Sequence, residues 1–220
     1  MSLKKVYIYR MTHMENIPHI LKHGITHKGS PNANPRFKAI GDSSLIDFRK
    51  TKTVKISESR VGLGIREKII LGDFIPFYLG LRTPMLYVIQ KGGNFVPNPT
   101  SAENIVYCVS SVQKIIDENL TFFFSDGHAT NGLSKFYSKT KVFDIEDLVD
   151  FKAANAKYWK DENDLDLKRR KEAEFLVKED IPASCILGFA CYNEDAKDKL
   201  LKMGILKKRV IVKPNFYFDI

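Results

Sequence analysis

The sequence predicts an α+β fold built around a mixed or antiparallel central sheet. Three observations carry that expectation. Six or seven segments read as strands, few segments between them read as helices, and strands and helices do not alternate in the regular way that winds a parallel sheet. A chain of 220 residues suits one domain, taken as 1–220.

The first element is a strand, "KVYIYRMTH", marked by its β-branched and aromatic residues. "NIPHILKHG" follows as a short helix, with Asn16 as its N-cap, Pro18 in its first turn and Gly24 as its stop. Residues 26–44 are rich in Gly, Pro, Asn and Ser and read as loop. A loop of that length is uncommon without a task. "DFIPFYLGLRTPMLYVIQ" reads as irregular extended chain feeding a strand at Met85–Ile89. "NIVYCVSS" is a strand, "VQKIIDEN" a helix and "LTFFFSDG" a strand. Residues 130–171 turn polar, and "FDIEDLVDFKAANAKYWK" is amphipathic at helical spacing. "AEFLV" and "CILGFACY" are strands, and "NEDAKDKLLKMG" is a helix between an Asn193 cap and a Gly204 stop. "RVIVKPNFYF" closes the sequence as a strand, placed at an edge by Pro214.

Composition narrows the class. With 44% hydrophobic and 28% charged residues, the chain is an ordinary globular sequence. No apolar run approaches the roughly 20 residues of a membrane span. "MSLKKVYIYR" lacks the apolar core of a secretory signal, so a cytoplasmic protein away from membranes is expected. Cys108, Cys185 and Cys191 have no paired spacing and read as small buried hydrophobes. The net charge of +9 points toward a polyanion, of which nucleic acid is the usual one.

Candidate chemistry is scattered. His19, His23 and His27 recur every fourth residue, yet Gly24 ends the helix before His27, so no metal site is expected. "GLGIRE" at 62–67 lacks the third glycine and the strand–helix setting of a dinucleotide fingerprint, and no phosphate-binding P-loop is present. "KYWKDENDLDLKRRK" reads in two ways. One is a solvated helix face with Asp164–Lys168 and Asp166–Arg170 pairs; the other is a strip for phosphates with Tyr158 and Trp159 as stacking faces. Glu172 and Glu174 stand two apart at the start of an apolar strand and would share one face. They are an exposed strand end, or one of them is a buried carboxylate facing a cationic transition state. Arg10 and Arg49 are groups suited to a diphosphate.

Four blocks, "YRMTHMENIPHILKHGI", "DFIPFYLGLRTPMLY", "FFFSDGHAT" and "KRRKEAEFLV", occur in the order and spacing of the DarT toxins, and the chain resembles that family over nearly its whole length. The resemblance implies an ADP-ribosyltransferase fold related to poly(ADP-ribose) polymerases. It implies NAD as donor, bases in single-stranded DNA as acceptors, and a macrodomain antitoxin as partner of a monomeric toxin. It assigns catalysis to Glu174 and Arg49. Arg10, Met11, Thr12 and His13 of the first strand, with His19 and Arg49, fall to the donor. Arg82, Met85 and His128 fall to the DNA, joined by Tyr158 and Trp159. The donor loop would span about 26–54 and the substrate-recognition loop about 131–171. Two positions depart from the family pattern: Glu172, which bears on the acceptor, stands where the family commonly has glutamine, and Gly72 stands where it often has histidine. In protein-modifying toxins of the superfamily a glutamate at the Glu172 position accompanies arginine as acceptor. From the resemblance thymine is the first expectation and guanine the second; Glu172 prompts protein arginine as an alternative, and nucleic-acid binding without catalysis is another.

Overall fold

Strand β1 (Tyr7–His13) runs through the middle of the sheet and organises the rest of the chain around it. The computed structural model describes residues 2–57, 67–93 and 95–219. In chain order, β1 is followed by α1 (Ile17–His23), α2 (Ser43–Arg49), β2 (Thr53–Lys55), β3 (Lys68–Ile70), β4 (Ile75–Tyr78), α3 (Pro84–Lys91), β5 (Ile105–Ser111), α4 (Val112–Asp117), β6 (Phe122–Ser125) and β7 (Phe136–Ser138). Then come α5 (Ile145–Leu148), α6 (Phe151–Ala154), α7 (Leu167–Lys171), β8 (Glu174–Val177), β9 (Gly188–Cys191), α8 (Glu194–Lys202) and β10 (Val210–Val212).

Eight strands form one sheet in the order β10-β9-β5-β1-β4-β8-β6-β7, and β2 and β3 make a separate two-stranded ribbon. Every pairing in the large sheet is antiparallel except β9 with β10, so the sheet is mixed and mostly antiparallel, as the sequence predicts. Apolar side chains from β4, β5, β6 and β8 pack with α1, α4 and α8 into the main core. The three cysteines are free and buried there or at its margin.

One irregularity in the sheet matters for function. β1 pairs with β5 along its whole length, from Tyr7↔Ser111 to His13↔Ile105. It meets β4 at a single register pair, Tyr9↔Tyr78. Pro76 explains the parting: it has no N–H for a ladder bond, so the two strands separate beside it. The Arg10 guanidinium fills the gap and donates from Nη1 to the Pro76 carbonyl at 2.8 Å.

Several sequence expectations change. Met85–Ile89 is not a strand but part of α3. Thr83 caps that helix by accepting from Leu86 N at 3.3 Å, Pro84 occupies its first turn, and Leu86 and Ile89 bury one face. The strand of that block is β4, upstream. The amphipathic stretch from Phe143 to Lys160 is two short helices, because Asp150 accepts from Ala153 N at 2.9 Å and starts a new helix. The strand count rises through β2, β3 and β7, each only three residues long. Asn16 stands at the start of α1 but makes no side-chain cap bond. Asn193 and Gly204 bound α8 as expected, with Asn193 accepting from Ala196 N at 2.9 Å and Gly204 at φ 93°. β10 lies at the sheet edge but stops at Val212, and Pro214 opens a turn that folds Tyr217 back into the interior. Gly62 to Arg66 of the "GLGIRE" stretch lie outside the described residues.

Candidate active site

The parted strands β1 and β4 open onto a cavity of about 360 Å³. Arg10 and Met11 from β1, Pro76 and Tyr78 from β4, Arg49 from the end of α2, and Glu174 line it. Residues between Thr26 and Ile46 wall the opposite side. The volume falls within the range of small-molecule sites, about 300–1,000 Å³.

Glu174 is the first residue of β8, a strand buried along its whole length, and only 2% of its surface is exposed. Ladder pairs Tyr78↔Glu174 and Phe77↔Phe175 fix its height in the sheet. Its backbone N–H donates to Ser125 Oγ at 3.3 Å, and that hydroxyl in turn donates to the Gly127 carbonyl at 2.6 Å. The carboxylate receives three bonds. Arg49 Nη1 donates to Oε2 at 2.9 Å and to Oε1 at 3.2 Å, and the Ala129 backbone N–H donates to Oε1 at 2.9 Å. Its orientation is thereby set before any substrate arrives. Arg49 Nη2 is buried and has no partner, which leaves one guanidinium donor available to an incoming acceptor group.

The surroundings keep their protons in defined states. Burial, with the charges of Glu172 and Glu174 behind it, pushes the Tyr78 phenol well above its ordinary value, so it stays a donor. Burial lowers the His128 imidazole, opposed by Glu174, so a neutral ring sits beside the carboxylate. Its Nδ1 lies 2.8 Å from Thr130 Oγ1. Burial also lowers the Arg10 guanidinium, and the nearby Arg49 adds to that. The Cys108 thiol, across from Arg10 in the β1–β5 ladder, is pushed up to about 12 by burial and is inert.

The structure brings together some of the residues singled out by sequence and separates others. Glu174, Arg49, Arg10, Met11 and Met85 all line the cavity. Thr12, His13 and His19 are not among its lining residues. The Thr12 hydroxyl accepts from Asn16 Nδ2 at 3.0 Å, and His13 Nδ1 accepts from Glu15 N at 3.1 Å. The His19 ring stacks on His23 at 4.6 Å, while His27 lies past the Gly24 stop with Nε2 2.8 Å from the Gly72 carbonyl. Arg82 takes φ 52° and turns its guanidinium to the Asn215 and Tyr217 carbonyls, 4.4 Å from the Phe218 ring. Trp159 packs edge-on against Tyr87 and Phe218, whereas Tyr158 is 64% exposed.

The basic run at 168–171 and the glutamate pair differ from expectation. Lys171 is fully buried and donates to the carbonyls of Leu81, Ala154 and Ala156. Arg169 pairs with Asp126 and Asp166, and Arg170 with Asp150, Asp164 and Asp166. Asp164 thus serves Arg170, not Lys168. Three of the four cations are committed to holding the chain together, which leaves exposed Lys168 as the one of the run turned to solvent. Glu172 ends α7 instead of opening β8, so it does not share a strand face with Glu174. Neither carboxylate is an exposed strand end: Glu172 is 6% exposed, and burial lifts its carboxyl to about 8.

Tyr78, Ser125 and the Ala129 amide are site groups that sequence reasoning missed. Tyr78 could have been found only from the strand register, and the other two act through backbone or one hydroxyl.

A family model described as ssDNA thymidine ADP-ribosyltransferase, DarT, matches residues 9–218. This chain belongs to the DarT family. The DNA ADP-ribosyl transferase of Thermus sp. (strain 2.9) is 30% identical over 96% of this chain and 95% of its own length. Solved structures of the Thermus sp. 2.9 DarT align over 97% of this chain. The complex with ADP-ribosylated ssDNA gives a TM-score of 0.78 at 27% identity over 96% of its chain, and the complex with NAD+ gives 0.74 at 26% identity over 98%. A DNA ADP-ribosyl transferase–DNA ADP-ribosyl glycohydrolase fusion protein of Thermosipho africanus is 24% identical over 96% of this chain, which spans 49% of the fusion. The whole eight-stranded sheet, including the β1–β4 pair and β8 with Glu174, lies within the residues that the DarT model matches, apart from the first two residues of β1. Among the described residues of this DarT member no helix is long and apolar enough to cross a membrane.

Proposed function

We infer that this chain transfers ADP-ribose from NAD to a thymine base in single-stranded DNA, with Glu174 as the catalytic carboxylate. One observation carries the assignment of roles. Glu174 is buried at the wall of the cavity and aimed by Arg49 Nη1 and the Ala129 amide. The donor lies in the cavity, between Arg10 and Met11 on one side and the arm from residue 26 to Arg49 on the other. Thr12 and His19 support that arm from behind, through Asn16 and Thr26.

Transfer breaks the bond between nicotinamide and the anomeric carbon of the ribose, through an oxocarbenium-like, positively charged transition state. Fixed negative charge beside that carbon stabilises the developing cation, and one preorganised group of this kind is worth on the order of 100- to 1,000-fold in rate. Glu174 supplies it and accepts from the ribose hydroxyl. Arg49 does not act as a base: a guanidinium keeps its proton, and this one is already donating to Glu174. Its unpartnered Nη2 meets a carbonyl oxygen of the acceptor base or a diphosphate oxygen.

The acceptor comes from the side of His128 and Lys168. A base must leave its stack to reach the anomeric carbon, which favours single strands. The net charge of +9 favours the DNA backbone without specifying a sequence. The glycohydrolase fused to the Thermosipho africanus relative supports a macrodomain partner that reverses the modification, and hence a toxin's role in the cytoplasm. The chain acts as a monomer.

Incubation of the purified protein with NAD and a panel of short oligonucleotides, read by mass spectrometry, tests the reading. ADP-ribose is expected on thymine-containing single strands. Adducts on protein arginine alone, or none with any oligonucleotide, would overturn it.

A further inference from the structure

The arm that walls the cavity is not held by burial. None of the residues from Thr26 to Lys50 is buried, α2 contributes no buried side chain, and Phe37 and Phe48 are half or more exposed. Something polar must hold it. At its base, Asp180 accepts from His27 N at 2.8 Å and from the Ser30 hydroxyl. At its far end, Arg49 reaches Glu174. Between Ala33 and Asp42, the one buried polar tether among the described residues is Asn16.

Asn16 is 1% exposed and uses its amide fully. Nδ2 donates to the Lys38 carbonyl at 2.8 Å and to Thr12 Oγ1 at 3.0 Å. Oδ1 accepts from Lys38 N at 2.9 Å and from Asn34 Nδ2 at 3.4 Å. The amide thus bonds both backbone groups of Lys38, as a neighbouring strand would, and ties them to β1 through Thr12. The residues on either side of that clamp, Asn34, Phe37 and Ile40, line the cavity. The Lys38–Glu15 ion pair at 2.7 Å lies at the surface and adds little.

We propose that Asn16 is a positioning residue for the donor: its two-point clamp on Lys38 holds the arm in the NAD-binding conformation before NAD arrives. This rests on the NAD reading above. A preformed wall removes the cost of ordering the arm at the moment of binding. The effect therefore falls on donor affinity and leaves the chemical step alone. Thr12, buried beneath the amide, is the inner support of the same clamp.

The test is the kinetics of Asn16→Ala and Asn16→Asp against the parent, with NAD and a thymine-containing oligonucleotide varied in turn. Loss of one or two hydrogen bonds predicts a KM for NAD about tenfold or more higher in the alanine variant, with kcat changed less than about twofold and the oligonucleotide KM unmoved. The aspartate variant keeps acceptance from Lys38 N but sets a carboxylate oxygen against Lys38 O, so its KM rises at least as far. If the alanine variant does not fold, the aspartate variant carries the same split alone. A fall in kcat at constant KM, or no change in either, overturns the proposal. Trypsin supplies a readout that needs no donor: cleavage after Arg36 and Lys38 is faster in the alanine variant, and an unchanged rate overturns the clamp. A parent protein inactive with NAD, yet protected in this way, would sink the functional reading and leave the clamp standing.

Discussion

Arg49 and Glu174 meet as an ion pair across 125 residues of sequence, half-buried on the arginine side and buried on the glutamate side, with Nη1 2.9 Å from Oε2 and Nη2 left without a partner. Arg49 sits on the arm side of the cavity and Glu174 on a central strand, so the pair joins the wall of the site to its floor.

Removing one member of this pair strands the other. Arg49→Ala should lower stability by about 3 kcal/mol and abolish transfer, because Glu174 keeps only the Ala129 amide. Arg49→Ala combined with Glu174→Ala should recover most of the lost stability and none of the activity. Urea melts of the four proteins in the cycle measure the coupling.

Glu174→Gln keeps the shape and the acceptor oxygen while losing the charge. Transfer should drop by on the order of 100- to 1,000-fold with the KM for NAD nearly unchanged. A large rise in KM at constant kcat would instead make Glu174 a binding group.

Glu172 predicts a pH dependence of stability. Its carboxyl stands at about 8 in the folded chain against an ordinary 4.5, so the folded state holds a proton that the unfolded state releases across that window. Stability from this group is complete below about pH 4.5 and is lost as pH rises toward 8. Glu172→Gln should therefore melt higher than the parent at pH 8.5 and alike at pH 4.5. Lys171, lowered by burial to about 8 from 10.5, acts in the opposite sense and only above pH 8, where stability rises as its charge is lost. Melting temperatures from pH 4.5 to 10 separate the two.

Arg82 tethers the end of the chain. Arg82→Met removes the donor to the Asn215 and Tyr217 carbonyls and should lower the melting temperature by about 2–8 °C, as for a loss of about 1–2 kcal/mol. A variant with unchanged melting and weakened oligonucleotide binding would return Arg82 to a purely DNA-facing role.

Legibility in the sequence followed the physics of each element. Strands with continuous apolar runs, β5, β6 and β8, stood out because the sheet buries them on both faces, and β1 stood out by its β-branched and aromatic residues. α3 was misread because Met85, Leu86 and Tyr87 suit a strand by residue type, and the Thr83–Pro84 cap signal was outweighed. Glu174 and Arg49 were singled out by residue type, but their joint role came only through the resemblance, since nothing in their local sequence brings them together. Lys171 and Arg169 looked like surface charge because a sequence cannot reveal that carbonyls and aspartates from three other segments converge on them. Asn16 was legible as a polar residue at a helix start, but its partner is a loop 22 residues away.

The place of β8 in the sheet has a temporal consequence. It lies between β4 and β6, yet it is made after both, and it carries the carboxylate. On the ribosome, the halves of the sheet it joins have nothing between them until residue 177 has emerged. The cavity therefore lacks its carboxylate for most of synthesis, and gains it only when β8 enters between strands that already exist.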